Sequence, residues 1–115
     1  MENGKKNIQE LHSKKLKLYF RIANFNMKHF NVTVSGRVQG VGFRYSAMKM
    51  AITYGIRGFV RNEPDGSVYM EVEGDDTNIG LFLEWCEKGP GFGRIDRVIK
   101  VESGLRGFRD FSIRY

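Results

Sequence analysis

The chain has 115 residues, 41% of them hydrophobic, a formal net charge of +6 and one cysteine, Cys86. That length holds one domain, and the apolar content argues against disorder. The lone cysteine excludes an intrachain disulfide and a multi-cysteine metal site, and no apolar run reaches the roughly 18 residues that span a bilayer.

The charge is unevenly placed. Residues 1–26 carry six Lys/Arg and two Glu, a net +4, whereas residues 27–115 carry thirteen Lys/Arg and eleven Asp/Glu, a net +2. The main body therefore lacks the broad basic signature of a nucleic-acid binder, and neither nucleic acid nor membrane is expected as a partner. The first residues are polar and no signal-like apolar region follows them, so a cytoplasmic protein is expected.

Residues 1–26 fit two patterns. Leu16, Leu18, Phe20 and Ile22 alternate with Lys17, Tyr19 and Arg21 as a strand would, while Ile8, Leu11, Leu18 and Ile22 fit one helical face. Fourteen of these 26 residues are Lys, Asn, Ile, Phe or Tyr, types encoded by A/T-rich codons, and Met27 directly precedes the first clear strand. The expectation is a non-native or poorly ordered extension ahead of a domain beginning at Met27. A basic arm docking on a membrane or a partner is the functional alternative.

Phe30, Val32 and Val34 alternate with polar residues, which predicts a strand over about 29–37 with one buried face. Gly36, Gly40 and Gly42 follow, and a helix is predicted from Phe43 to Tyr54, with Phe43, Ala47, Met50, Ala51 and Tyr54 facing a sheet and Gly55 ending it. A strand feeding a glycine-bearing loop that opens a helix can be an anion site: successive N–H groups point into one concavity and the helix N-terminus adds partial positive charge. Arg44, in the first helical turn, could close over the anion. A tight strand-to-helix turn with a surface arginine explains the same residues.

Strands are predicted over 56–62 and 67–73, joined as a hairpin by Glu63-Pro64-Asp65-Gly66. Asn62 ends the first of them; its neutral amide could hold a water beside a bound anion, or it could simply begin the turn. Asp76 or Thr77 is expected to cap a helix over 78–88 that buries Ile79, Phe82, Leu83 and Cys86 and stops at Gly89-Pro90. Cys86 reads there as a small core residue, not a nucleophile. Strands over 95–102 and 108–115 close the chain. The order β-α-β-β-α-β with a short closing strand implies an α+β ferredoxin-like sandwich: an antiparallel sheet with both helices on one face.

Two stretches resemble the signatures of the acylphosphatase family. The first is Val34-x-Gly36-x-Val38-Gln39-Gly40-Val41-x-Phe43-Arg44; the second is Gly58-Phe59-Val60-Arg61-Asn62-x-x-x-Gly66-x-Val68, with Gly74 beyond. The resemblance covers about residues 28–115; the N-terminal extension departs from it. It implies hydrolysis of carboxyl-phosphate anhydrides to a carboxylate and inorganic phosphate. It also implies a cradle from the backbone amides of Arg37, Val38, Gln39, Gly40, Val41, Gly42 and Phe43, with Arg44 binding phosphate and Asn62 orienting the attacking water. No metal and no cofactor is called for, and a monomer acting on a small-molecule acyl phosphate is expected. The rival is a non-catalytic phosphate- or RNA-binding module of the same fold, in which Phe59 and Tyr69 would be exposed to stack bases.

Overall fold

The computed structural model describes residues 7–115, and for residues 20–25 the backbone alone. Alternation in Met27–Arg37 (β1) puts Val32 and Val34 wholly in the core, as their period of two requires. The chain continues through Phe43–Thr53 (α2), Arg57–Asn62 (β2), Val68–Asp75 (β3), Asp76–Lys88 (α3), Arg94–Ser103 (β4) and Phe111–Arg114 (β5). Both helices pack on one face of the sheet. Phe43, Ala47 and Ala51 of α2 and Ile79, Phe82, Leu83 and Cys86 of α3 meet Val32, Val34, Val60, Val68, Met70 and Val72 of the strands. The predicted α+β ferredoxin-like sandwich is the observed fold.

Three expectations need correction. The sheet is mixed, not antiparallel: its order is β4-β1-β3-β2-β5, and β5 runs parallel to β2 while every other pair is antiparallel. The reason is the route of residues 104–110, a strap that carries the chain from one edge of the sheet to the other, so that β5 starts at the end where β2 starts. The cap of α3 is Asp75, one residue ahead of the predicted pair. Its carboxylate accepts from the Thr77 and Asn78 N–H groups at 3.0 and 3.4 Å, the usual reach of a cap to the second and third helical residues. The closing strand is shorter than 108–115, because Phe108 is used to cover the open face of the sheet.

Within the expected extension, Ile8–Phe25 (α1) is a helix, so the helical pattern wins over the alternating one. The Asn7 side chain accepts from the Glu10 N–H at 2.7 Å, as a cap does. Ile8, Leu11 and Leu18 of the predicted face are exposed. Residues 1–6 and the Ile22 side chain lie outside the described residues.

The open face carries a polar cluster under the strap. His29 is fully buried, with Nδ1 3.0 Å from Glu73 Oε2, and with Nε2 3.1 Å from Glu71 Oε1 and 3.0 Å from Asn31 Oδ1. Glu73 also accepts the Arg106, Gly107 and Phe108 N–H groups at 2.6, 2.8 and 3.2 Å. Burial pushes the Glu73 carboxyl up, but these three N–H bonds and the His29 bond outweigh it, and the net shift is downward. Phe108 then stacks on His29 and meets Phe59 edge-on, both at 5.9 Å between centroids.

Candidate active site

Strand directions decide where a site can form. β1, β2 and β5 run the same way, so their carboxyl ends, Arg37, Asn62 and Arg114, reach one edge of the molecule. The loop after β1, the residue ending β2 and the tail after β5 meet there. A cavity of about 210 Å³ lies among them, lined by Val38, Gly40, Gly42, Phe43, Arg44, Tyr45, Asn62, Ile113 and Tyr115.

The loop gets its shape from two glycines. Gly40 and Gly42 take φ of 74° and 80°, left-handed values that cost a side chain, and between them they turn β1 into α2 within five residues. A break in the β1–β4 register at Ser35/Gly36 precedes the turn and helps to aim it. Gly42 is the N-cap of α2 and has no side chain to bond the first-turn amides. The N–H groups of Phe43, Arg44 and Tyr45 lack intrahelical partners by geometry, and the helix dipole adds positive character.

Gln39 has a role the sequence did not reveal. Its Nε2 donates to the Glu63 and Ser67 carbonyls at 2.7 and 2.8 Å, tying the loop to the β2–β3 hairpin. Glu63 follows Asn62 directly, so this tie sets the distance between loop and asparagine. The same hairpin is closed by Glu63 N–H to Ser67 O and by Asp65, whose carboxyl is lowered by its bonds from the Ser67 hydroxyl and N–H.

Arg44 and Asn62, eighteen positions apart in sequence, line one cavity. The Arg44 Cζ lies 4.9 Å from the centroid of the Tyr115 ring, within cation–π range. The Asn62 Oδ1 is buried and, among the described residues, has no hydrogen-bond partner. Of the predicted loop, Val38, Gly40, Gly42 and Phe43 reach the cavity wall; Arg37, Gln39 and Val41 do not. Arg37 is exposed at the end of β1 and Val41 packs against the core. Tyr45, Ile113 and Tyr115 belong to the wall and were not singled out from sequence. Their signal was weak: an exposed aromatic on a helix, and a terminal alternation that reads equally as an ordinary strand.

The premise of the RNA-binding rival does not hold. Phe59 is 3% exposed, beneath Phe108 and with Arg114 Cζ 3.7 Å from its centroid, and Arg61 lies over Tyr69 at 4.9 Å. Neither ring is free to stack on a base. Cys86 is buried in the core, and burial pushes its thiol far up, so it is no nucleophile. Among the described residues no group of His, Cys, Asp and Glu could hold a metal ion, and no helix is long and apolar enough to cross a membrane.

The class these features define is a small α+β protein of ferredoxin-like fold, with a glycine-shaped loop that opens a helix carrying no side-chain cap and an arginine in its first turn. Comparison with known proteins makes the class specific. The sequence matches the acylphosphatase family over residues 30–113. An acylphosphatase of Nocardioides sp. is 45% identical over 84 residues, spanning 73% of this chain and 85% of its own. One from Oceanobacillus iheyensis is 44% identical over 91 residues, spanning 77% of this chain and all of its own. The structure of an acylphosphatase from Coxiella burnetii superposes with a TM-score of 0.77 at 34% identity, covering 80% of this chain and 97% of that one. The chain belongs to the acylphosphatase family, and is a hydrolase acting on acid anhydrides.

Proposed function

We infer that the β1–α2 loop and Arg44 bind the phosphoryl group of an acyl phosphate, and that Asn62 orients the water that attacks it. The observation that carries this reading is the convergence of three unlike groups on one cavity: unpaired helix amides, the Arg44 fork and the unpartnered Asn62 Oδ1. A buried acceptor with no donor is costly unless something that enters the cavity supplies one.

The chemistry asks for little else. The P–O bond to the acyl oxygen breaks, and the leaving group is a carboxylate, whose conjugate acid has a pKa of about 4–5, so no general acid is needed. Charge on the phosphoryl oxygens is met by fixed N–H donors and the guanidinium, which hold their places before the reaction begins. The Tyr115 ring lies against the Arg44 guanidinium, 4.9 Å from its Cζ. Asn62 accepts a hydrogen bond from the water while adding no negative charge beside the phosphate. In this reading residues 27–115 are the catalytic unit, working as a cytoplasmic monomer on a small-molecule substrate.

Steady-state kinetics on benzoyl phosphate test the assignment. Arg44→Gln should lower kcat/KM by roughly 10²–10³-fold, the loss seen when one oriented donor to the reacting group is removed. Asn62→Ala should lower kcat by a similar factor and leave inhibition by inorganic phosphate nearly unchanged. Near-normal kcat in Asn62→Ala overturns the water-orienting role.

A further inference from the structure

The helix α1 has no place in the core of the domain. Among the described residues, none of its side chains joins the core or packs against it. Its base is fixed all the same. One residue, Asn26, separates it from β1, and the Asn26 carbonyl accepts the Asp76 N–H at 2.8 Å. The helix thus departs from the start of β1, whereas the cavity lies past the other end of that strand, about 30 Å along its 11 residues.

The side chains of residues 8–19 sort into two sides. At 3.6 residues per turn, Ile8, Leu11, Leu16, Leu18 and Tyr19 fall within an arc of about 160°. Gln9, Glu10, Ser13, Lys14 and Lys17 fall outside it. The five apolar side chains are 45–84% exposed. Lys14 borders the arc beside Leu18, and His12 and Lys15 lie within it. Glu10, the one acid among these residues, is on the far side. Exposed apolar side chains on one side of a helix, with cations inside and beside them, suit a helix that lies in a charged interface.

Charge and breadth select what covers this face. Ile8, Leu11, Lys15 and Leu18 have the spacing of a coiled-coil seam, but a parallel second copy would set Lys15 against Lys15. Such a seam is also narrower than the arc and would leave Leu16 and Tyr19 in water. An anionic lipid surface accepts the whole arc. The apolar side chains enter at headgroup depth, Tyr19 keeps its hydroxyl in the polar layer, and Lys15 extends its ammonium to the phosphates. The helix is not long and apolar enough to cross a membrane, so the contact is with the surface.

We propose that α1 is an amphipathic anchor that docks the protein on an anionic lipid surface and leaves the cavity, at the other end of β1, open to substrate. The main body gives no reason to expect a membrane partner; this helix does, independently of how the cavity works.

The test is flotation of the full chain with vesicles of phosphatidylcholine and phosphatidylglycerol in equal parts, and with vesicles of phosphatidylcholine alone. The chain should float with the mixed vesicles and not with the neutral ones, and high salt should weaken the binding. Lys14→Gln with Lys15→Gln should lower the partition coefficient roughly 20–30-fold, about fivefold for each lysine at a charged surface. Leu11→Gln with Leu18→Gln should abolish flotation at the same lipid concentration. These side chains lie outside the core, so both variants should fold, as circular dichroism, thermal unfolding and an unchanged kcat on benzoyl phosphate would verify. Absence of binding to the mixed vesicles overturns the proposal, and so does equal binding to the neutral ones. A dimer in sedimentation equilibrium that the leucine variant dissolves, with no flotation of the parent chain, overturns it in favour of a second copy.

Discussion

Glu73→Gln is expected to be among the most damaging single-atom changes in the sheet. The carboxylate meets four donors. Oε1 accepts from the Gly107 and Phe108 N–H groups, and Oε2 from the Arg106 N–H and His29 Nδ1. A glutamine keeps one oxygen and turns the other into an NH₂ group. With the nitrogen at the Oε1 position two N–H groups, of Gly107 and Phe108, lose their acceptor; with it at the Oε2 position the Arg106 N–H does, while the His29 ring can change tautomer and accept from the amide. At least one buried donor is left unmet in either case, so the loss should be about 1–3 kcal/mol. Domains of this size are stable by only about 5–15 kcal/mol, so the effect is a substantial part of the whole. The urea midpoint should fall by on the order of 1 M for a typical slope of about 1–3 kcal/mol per M. The pH dependence gives a second readout. The folded carboxyl is held below its unfolded value of roughly 4.3, so its contribution is fully present above that pH and disappears as pH falls through the lower folded value. The variant should lose less stability on acidification than the wild type over that range. A midpoint shift below about 0.5 M at pH 7 would refute the claim that the strap is latched through this carboxylate.

Other changes have expected outcomes from the same geometry. A Cβ at Gly58, where φ is 140°, would fall on the Glu71 carbonyl of the neighbouring strand, so Gly58→Ala should cost about 3 kcal/mol or more in thermal or urea unfolding. Cys86 should stay unreactive to a water-soluble thiol reagent at pH 8 in the folded protein and react at once in denaturant, because burial raises its thiol far above the usual range. A chain starting at Met27 should retain the full kcat of the longer chain on benzoyl phosphate, since among the described residues none of 8–19 lines the cavity. A substantial loss would show that α1 supports the site.

The layers of the fold were legible because burial enforces periodicity. Val32, Val34, Val68, Met70 and Val72 alternate because one face of their strands meets helices, and Ile79, Phe82, Leu83 and Cys86 recur at helical spacing for the reciprocal reason. The loop and Arg44 were legible because a backbone cradle needs glycine at left-handed positions, and glycine leaves a visible mark in sequence. The open face was not. His29, Glu71 and Glu73 occupy the polar positions of alternating strands, and polar positions normally point to water. Only the return of residues 104–110 over them makes them interior, and nothing local in that glycine-containing segment announces where it lies. The partner of β5 was hidden for the same reason: strand pairing depends on the path of the connection, not on the composition of the strand. Gln39 and Tyr115 gain their importance from neighbours 24 and 71 positions away, Glu63 and Arg44, and short-range pattern carries no trace of such contacts.

The meeting of three strand ends has a kinetic consequence. Arg44, Asn62 and Tyr115 are brought together by pairings distant in sequence, with β1 beside β3 and β4, and β5 beside β2. Contacts of that kind close large loops and form slowly compared with helices. During refolding, helical signal should therefore recover before turnover, and activity should return only with the last strand pairing. The return of turnover during refolding should therefore trace the pairing of β5 with β2, measured against the recovery of helical signal.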